Sequence, residues 1–459
     1  MDSNELENIF SSIKTKALND WEELLKFKSN SFASEHKQDC RKCAEWLCQK
    51  MQEYGLKSNL LETSGNPVAC GTFKGDPDKP HILFYGHYDV QPEDPIELWH
   101  SDPFQPEWRG DRLYARGAQD NKGQVMSFLQ GVRTLIDSDQ LKCSITILVE
   151  GEEEVGSHGL VKSLPEWKDW LKADVLVVMD TTMANADTPL LMLGIRGILG
   201  FEIEVDGLKK DLHSGLHGGI VRNPVNELIR LISTMFNLDG SVAVDGFYDG
   251  VQEPDENLLA KLNQLPFDEE LYKNEVGLPP CGGELRFSPY VRNGLRPTMD
   301  VIGITAGYQG EGIKSVIPAR ALAKISCRMV ASQNPDNVFS RIEEHINKNK
   351  LEGINVNVRK KEETLAMFED VSDTKIVRDV QNIVKDIFGK EAVPYLCGAS
   401  IPIIPDLVRA SGAVPVLIGF GLEEDSIHSP NESYSLQQFK QGFMYSVGLL
   451  RKFSESPLS

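Results

Sequence analysis

The sequence predicts an α/β fold, in which a mixed, largely parallel sheet flanked by helices is interrupted by an inserted α+β domain. Three short apolar runs, at residues 81–85, 143–149 and 174–179, are typical of strands that are buried on both faces. A helical apolar face at residues 121–136 separates the first two runs, which is the order of a crossover connection. From about Gly194, apolar and polar residues alternate, as in antiparallel strands with one exposed face.

The first 60 residues are predicted to be helical. Apolar residues between Leu6 and Ala17 recur at helical spacing, and a second apolar stripe runs from Cys40 to Met51. Cys40 and Cys43 form a CxxC pair, which occurs in some metal and redox sites. The sequence contains no second CxxC pair to complete a zinc site, so we interpret both thiols as part of a buried helix face.

The remaining elements define where the inserted domain begins and ends. Residues 200–207 and 321–330 alternate as half-exposed strands do, and residues 240–300 are rich in glycine, proline and acids, which predicts loops with short helices. A helix restarts at Ile376 and ends at Gly389, and residues 414–421 are another buried strand. We therefore predict a main domain in two segments, 1–194 and 366–459, around an inserted domain at 195–365.

The composition excludes several classes of protein. The chain of 459 residues has 68 acidic and 48 basic residues, so its formal net charge is −20. This excess argues against a nucleic-acid partner, because phosphate binding depends on clustered lysine and arginine. Since the sequence shows neither a basic, apolar leader nor a run of about 20 apolar residues, no membrane partner is expected. Eight scattered cysteines suit a reducing compartment, and we predict a cytoplasmic protein.

Side chains that can bind a metal ion follow the predicted strands or lie close to them in the sequence. In open α/β sheets, ligands bind beyond the carboxyl ends of the strands. The candidates there are His87, Asp89, Asp120, the run Glu152–Glu154, Asp180 and His428. Two imidazoles with several carboxylates suit Zn²⁺ or Mn²⁺. Because a single tetrahedral zinc needs about four ligands, the larger number favours two metals that share a carboxylate. From chemistry alone, the choice among the three glutamates stays open.

Four motifs together resemble a known family. GHYDV, ARGAQDNKG, EGEEEVGS and IHSPNE occur in the order and spacing of the carnosinase and cytosolic nonspecific dipeptidase branch of the di-metal aminoacylase/carboxypeptidase superfamily. The resemblance extends from about residue 20 to the C-terminus. It implies that segments 1–194 and 366–459 form a catalytic domain, and that 195–365 is a lid that also makes a homodimer contact.

The resemblance also implies roles for individual residues. His87 and Asp180 would bind one divalent metal, Glu154 and His428 the other, and Asp120 would bridge them, with Zn²⁺ expected and Mn²⁺ as the alternative. The family pattern E-G-x-E-E-x-G-S places Glu153 as the general base that activates a hydroxide between the metals. Asp89 matches the acid that orients His87.

The segment DLHSGLHGG, residues 211–219, allows two interpretations. His213 and His217 lie four residues apart and could form a zinc pair on a helix, but the surrounding glycines favour a loop. The resemblance implies that His213 reaches across the dimer to stabilise an oxyanion, and His217 is interpreted as incidental. It also implies that Arg328 binds the substrate carboxylate and that Ser315 and Ser400 help to hold the substrate.

The function implied is hydrolysis of amide bonds in dipeptides or short peptides with a free C-terminal carboxylate. One departure keeps a second activity open. Cys397 stands where many relatives have a glutamate suited to binding a free α-amine, and a thiol cannot form that ion pair. The alternative is therefore an N-acyl-amino-acid amidohydrolase. A non-catalytic metal-binding dimer is a third hypothesis, although the proposed base and all five proposed ligands are present.

Overall fold

The computed structural model describes residues 3–254, 256–263, 265, 267–368, 374–398 and 401–455. Its strands are β1 (Lys57–Leu61), β2 (Val68–Phe73), β3 (His81–His87), β4 (Glu107–Arg109), β5 (Arg112–Tyr114), β6 (Ser144–Glu150), β7 (Val175–Val178), β8 (Leu190–Ile195), β9 (Gly197–Asp206), β10 (Leu212–His213), β11 (Thr298–Ala306), β12 (Val316–Ile317), β13 (Arg320–Met329), β14 (Asn355–Thr364), β15 (Met367–Phe368), β16 (Val393–Cys397), β17 (Val414–Leu417) and β18 (Ser433–Ser435).

The helices complete the chain order. They are α1 (Ser3–Leu25), α2 (Lys37–Glu53), α3 (Lys122–Asp137), α4 (His158–Trp167), α5 (Ser214–His217), α6 (Pro224–Ser233), α7 (Glu256–Leu262), α8 (Glu269–Val276), α9 (Pro289–Leu295), α10 (Pro335–Asn349), α11 (Lys375–Phe388), α12 (Ile404–Ser411) and α13 (Leu436–Glu455). Within the described part of the chain, none of these helices has the length and apolar character that crossing a bilayer requires.

The described residues form two compact units. Residues 3–193, 374–395 and 401–455 make the first unit, and the second consists of the described residues between 194 and 368 together with 396–398.

The large sheet has the strand order β1-β2-β6-β3-β7-β17-β8-β15, and β16 also pairs with β8. Its central strands are parallel, because β3 pairs in parallel with β6 and β7, and β7 does so with β17. The pairings of β2 with β1 and β6, and of β8 with β17 and β15, are antiparallel. The mixed α/β sheet is confirmed, and its four central strands, β6, β3, β7 and β17, are parallel. These strands end at one edge, where His87 and Glu150 are register partners.

The core of the first unit lies between this sheet and its helices. Phe84 of β3 stacks on Phe128 of α3 with ring centroids 3.7 Å apart, and both side chains are fully buried. Cys40 and Cys43 are free thiols on the buried face of α2, as the helix interpretation predicted. Burial of these apolar side chains supplies the main favourable free energy for folding this unit.

The second unit contains a four-stranded antiparallel sheet in the order β11-β13-β9-β14. Residues of β9 alternate strictly between buried and half-buried, as predicted for a strand with one face against a core. The buried face of the sheet includes Phe201 and Ile203 of β9 and Ile325 of β13, which share a hydrophobic cluster with residues of α6 and α10. Strand β11 forms one edge of the sheet, and Val301, Ile302 and Ile304 on it are exposed.

Candidate active site

The parallel strands of the first unit bring distant side chains to one edge of the sheet. His87 is the last residue of β3, and Asp180 follows β7 by two residues. Glu153 and Glu154 lie in a short 3₁₀ turn after β6. Because these strands are neighbours with the same direction, their carboxyl ends converge. Asp120, just before α3, and His428, between β17 and β18, reach the same place.

Two sets of potential metal donors meet at Asp120. In the first set, His87 Nε2 lies 3.1 Å from Asp120 Oδ1 and 3.6 Å from Asp180 Oδ2. In the second set, His428 Nε2 lies 2.9 Å from Asp120 Oδ2 and 3.5 Å from Glu154 Oε2. The donor atoms of each set all lie within 4.8 Å of one another. Each Asp120 oxygen therefore serves one set, which is the arrangement that a bridging carboxylate requires.

Asp89 lies behind the first donor set and is fully buried. His87 Nδ1 is 3.0 Å from the Asp89 carbonyl oxygen and 3.3 Å from its Oδ1. The Asp89 carboxylate also accepts the backbone N–H groups of Glu153 and Glu154, both at 3.2 Å, and the hydroxyl of Ser31 at 2.7 Å. One carboxylate thus orients the imidazole and holds the turn that carries both glutamates.

The electrostatics of this cluster favour a bound cation. Burial raises the pKa of Asp180 to about 6, and burial with neighbouring carboxylates raises the pKa of Glu153 and Glu154 well above the usual range. Burial acts in the same direction on Asp120, but hydrogen bonds from His428 and His87 outweigh it and lower the pKa of Asp120. Carboxylates crowded in this way repel one another. The two donor sets, each with one imidazole and with Asp120 in common, fit two divalent metal ions.

Two further side chains hold the candidate ligands, and neither was predicted from the sequence. Gln91 donates to Glu154 Oε2 at 2.6 Å. Asn121 donates to Asp180 Oδ1 at 2.9 Å and accepts the backbone N–H of His87 at 3.3 Å. Both residues lie inside or beside the recognised motifs, and adjacency to a candidate ligand is the signal that could have identified them.

The prediction of a loop at residues 211–219 is partly wrong. The segment forms β10 followed by the single-turn helix α5, which ends before Gly218. His213 precedes this helix, and its Nδ1 accepts the backbone N–H of Gly215 at 3.0 Å as the N-cap. A side-chain cap satisfies an N–H that has no partner within the helix, which offsets the poor helix propensity of Gly215. The same bond makes Nδ1 the acceptor, so the neutral ring of His213 carries its proton on Nε2.

The other predicted substrate residues are placed as follows. Ser315 is exposed, and its carbonyl accepts the backbone N–H of Ser214 at 3.1 Å, so Ser315 lies beside the end of β10, which carries His213. Arg328 is half-buried on β13, where it pairs in register with Thr298 of β11 and Ile198 of β9. Ser400 lies outside the described residues.

Comparisons with known proteins agree with this geometry. The profile of peptidase family M20/M25/M40 matches residues 83–452. The chain belongs to this family. The Cys-Gly metallodipeptidase dug1 of Schizosaccharomyces pombe is 30% identical over 402 residues, which cover 82% of this chain and 80% of the relative. The human Beta-Ala-His dipeptidase is 28% identical over 382 residues, 82% of this chain and 75% of that protein.

Solved structures of M20 peptidases share the fold. The M20 family metallo-carboxypeptidase Sso-CP2 from Sulfolobus solfataricus superposes with a TM-score of 0.84 at 29% identity and covers 96% of this chain and 99% of its own. The dipeptidase Dug1p from Saccharomyces cerevisiae superposes with a TM-score of 0.82 at 22% identity, with 99% of each chain covered. The predicted resemblance, the fold class and the prediction of an enzyme are confirmed for this M20 peptidase.

Proposed function

We propose that this M20 peptidase is a metal-dependent dipeptidase that hydrolyses dipeptides or short peptides with a free C-terminal carboxylate. The observation that carries the proposal is the pair of donor sets that share Asp120, one of which includes Glu154 from the same turn as Glu153. Two of the relatives support the substrate class, since their names are Cys-Gly metallodipeptidase and Beta-Ala-His dipeptidase.

The proposed metal ligands divide into two positions. His87 and Asp180 would hold one divalent ion, Glu154 and His428 the other, and Asp120 both, with Zn²⁺ as the expected ion and Mn²⁺ as the alternative. When bound, two such ions supply Lewis acidity for the substrate carbonyl and for the attacking water. Asp89 keeps the His87 ring in place through Nδ1, which leaves Nε2 directed at the donor set.

Glu153 is proposed as the general base. Its backbone N–H is bonded to Asp89, so the turn that carries it is fixed relative to His87. Burial raises its pKa, and bound cations would return the side chain to the ionised form that a base needs. The carboxylate then accepts a proton from the attacking water and donates it to the leaving amine.

The second unit is proposed to act as the lid at residues 195–365 and to bind the substrate. The Arg328 guanidinium can pair with a carboxylate through two parallel hydrogen bonds, which suits a free C-terminus. His213 presents Nε2–H as a donor to an oxyanion, and Ser315 and Ser400 are proposed to contribute further hydrogen bonds to the substrate.

We further propose a cytoplasmic homodimer in which His213 acts in the active site of the partner. The exposed apolar residues Val301, Ile302 and Ile304 lie on an edge strand, and an uncovered edge of this kind favours pairing with another chain. All eight cysteines are free thiols, which supports a reducing compartment.

A substrate comparison with metal removal tests the proposal. The purified chain is stripped with a chelator, reloaded with Zn²⁺ or Mn²⁺, and assayed on Cys-Gly, β-Ala-His and their N-acetylated forms. We expect turnover of the free dipeptides only after metal is restored. Preference for the acetylated substrates would favour the amidohydrolase, which Cys397 keeps open. Loaded metal without turnover of any amide would indicate a non-catalytic metal-binding dimer.

A further inference from the structure

The carboxylate of Glu432 is fully buried and accepts four hydrogen bonds from the loop that precedes α3. Its Oε1 accepts the backbone N–H groups of Gln119 at 3.0 Å and Asp120 at 3.1 Å. Its Oε2 accepts the backbone N–H of Gly117 at 2.8 Å and Arg116 Nη1 at 2.9 Å. The backbone of the proposed bridging ligand is therefore held by a residue more than 300 positions away in the sequence.

Arg116 compensates the buried charge of Glu432. Its side chain is 1% exposed, so neither member of the pair is solvated. Arg116 Nη2 donates to the carbonyl of Pro92 at 2.9 Å, and the guanidinium lies 5.3 Å from the ring centroid of Trp99. A buried ion pair needs further hydrogen bonds to offset the loss of solvation, and here they reach both oxygens of Glu432 and the Nη1 and Nη2 atoms of Arg116, while Arg116 Nε has no hydrogen-bond partner among the described residues.

The segment that ends at Glu432 also carries His428. His428 and Asn431 adopt positive φ angles of 58° and 65°, which are uncommon for residues with a side chain and cost about 1 kcal/mol each. Such a conformation persists where the surrounding structure imposes it. The Asn431 side chain accepts the N–H of His100 and donates to the carbonyl of Leu98, both at 2.9 Å, and Glu432 anchors the next position.

We propose that Glu432 is a positioning residue that fixes the Asp120 loop to the His428 segment, so that one buried carboxylate assembles both proposed metal positions. Asp120 belongs to both donor sets and His428 to the second, so a shift between their segments would disturb both positions. Glu432 acts through the Asp120 N–H and is not itself one of the proposed metal ligands. The inference rests on the proposed function, since it presumes that the donor sets bind divalent ions.

The variant Glu432→Gln tests this role, because glutamine has the same shape but one acceptor oxygen in place of two. We expect the affinity of the apoprotein for Co²⁺ and Zn²⁺, measured by competition with a chromophoric chelator, to fall about 10–100-fold. We also expect the visible absorption spectrum of the Co²⁺-loaded variant to differ from that of the wild type, because the ligand geometry has changed.

Asp425→Asn is the matched control. Asp425 is also fully buried, lies three residues before His428 and pairs with an arginine, Arg112. Its remaining bonds, from the N–H of Leu422 and from Gln438, are both 2.7 Å long, and none of them involves the Asp120 loop. We therefore expect this variant to keep the wild-type Co²⁺ affinity and spectrum.

The outcomes separate this inference from the proposed function. A folded Glu432→Gln protein with wild-type Co²⁺ affinity and spectrum would overturn the inference, and so would an equal loss of affinity in Asp425→Asn. If Glu432→Gln does not fold, Arg116→Lys replaces it, with a smaller loss of affinity expected and wild-type affinity counting against the role. A wild-type chain that binds neither Co²⁺ nor Zn²⁺ would overturn the proposed metal site itself.

Discussion

Asp120 directs each of its carboxylate oxygens at a different histidine, and this division makes both proposed metal positions depend on one residue. Oδ1 is 3.1 Å from His87 Nε2, and Oδ2 is 2.9 Å from His428 Nε2. Every other proposed ligand belongs to one donor set only. At the scale of single residues, the role proposed for Asp120 is to hold metal and the role proposed for Glu153 is to move a proton, and the two roles can be tested separately.

Asp120→Ala should remove metal from both positions, because each donor set loses the carboxylate that it shares. Metal content per chain, measured by elemental analysis after dialysis, should fall well below that of the wild type. Asp102→Ala is the control, since the Asp102 side chain accepts only the exposed N–H of Phe104 in the described structure. Unchanged metal content in Asp120→Ala would refute the bridging role.

Glu153→Gln should keep both metals and lose about 10²–10⁴-fold in kcat, because an amide cannot accept the proton of the attacking water. Glu152→Gln is the matched control from the same glutamate run. Its carboxylate accepts the backbone N–H of Gly159 at 2.9 Å, so it caps the start of α4. Near wild-type turnover by Glu153→Gln with full metal occupancy would exclude Glu153 as the base.

At the scale of elements, strand β11 is the feature of the second unit that suggests a partner. Val301, Ile302 and Ile304 are 36%, 66% and 55% exposed, and the strand forms a sheet edge. An exposed apolar edge promotes association of chains, although the register of β11 against β13 is irregular between Val301 and Gly303. This strand, rather than the scattered apolar residues of the loops, should therefore control oligomeric state.

In the proposed homodimer, Ile302→Glu should shift the equilibrium from dimer to monomer, because a charge would be buried without a partner at the interface. Sedimentation velocity at several protein concentrations measures the shift. Leu238→Glu is the control, since Leu238 is a fully exposed leucine of the same unit that lies outside β11. A dimer that is equally stable in both variants would show that β11 is not the interface.

At the scale of the whole molecule, the proposed dimer makes the two active sites interdependent. His213→Ala should keep its metals but lose most turnover, because the oxyanion loses a donor. Mixing this variant with inactive Glu153→Gln should restore part of the activity, since a mixed dimer contains one site with both residues intact. Complete subunit exchange without recovery of activity would show that His213 does not act in the partner.

The cluster of buried carboxylates also links metal loading to global stability. Removing the ions forces Asp180, Glu153 and Glu154 either to take up protons or to repel one another, and it removes a ligand that binds the folded chain, so the chelated protein should melt at a lower Tm. Free metal at about a thousand times its Kd would contribute about 4 kcal/mol for each bound ion. Differential scanning calorimetry with and without chelator measures the change, and Asp120→Ala should show almost none. Equal Tm values after verified metal removal would contradict this linkage.

Local patterns predicted much of this molecule. The apolar runs of β3, β6 and β7 and the alternation in β9 and β13 correctly indicated strands, because periodicity reflects which faces are buried. The loop predicted around His213 was partly wrong, since a side-chain cap allows a helical turn that glycine content argues against.

The chemical identity of the candidate site was determined by the sequence, because histidines and carboxylates at the ends of predicted strands need no coordinates to be recognised. Only the tertiary structure decided which Asp120 oxygen faces which histidine, and that Asn121, Gln91 and Glu432 support the ligands. The physical reason is that a hydrogen bond requires atoms to lie about 3 Å apart. For residues separated by hundreds of positions, that distance is set by the packing of the whole unit and leaves no periodic trace in the chain.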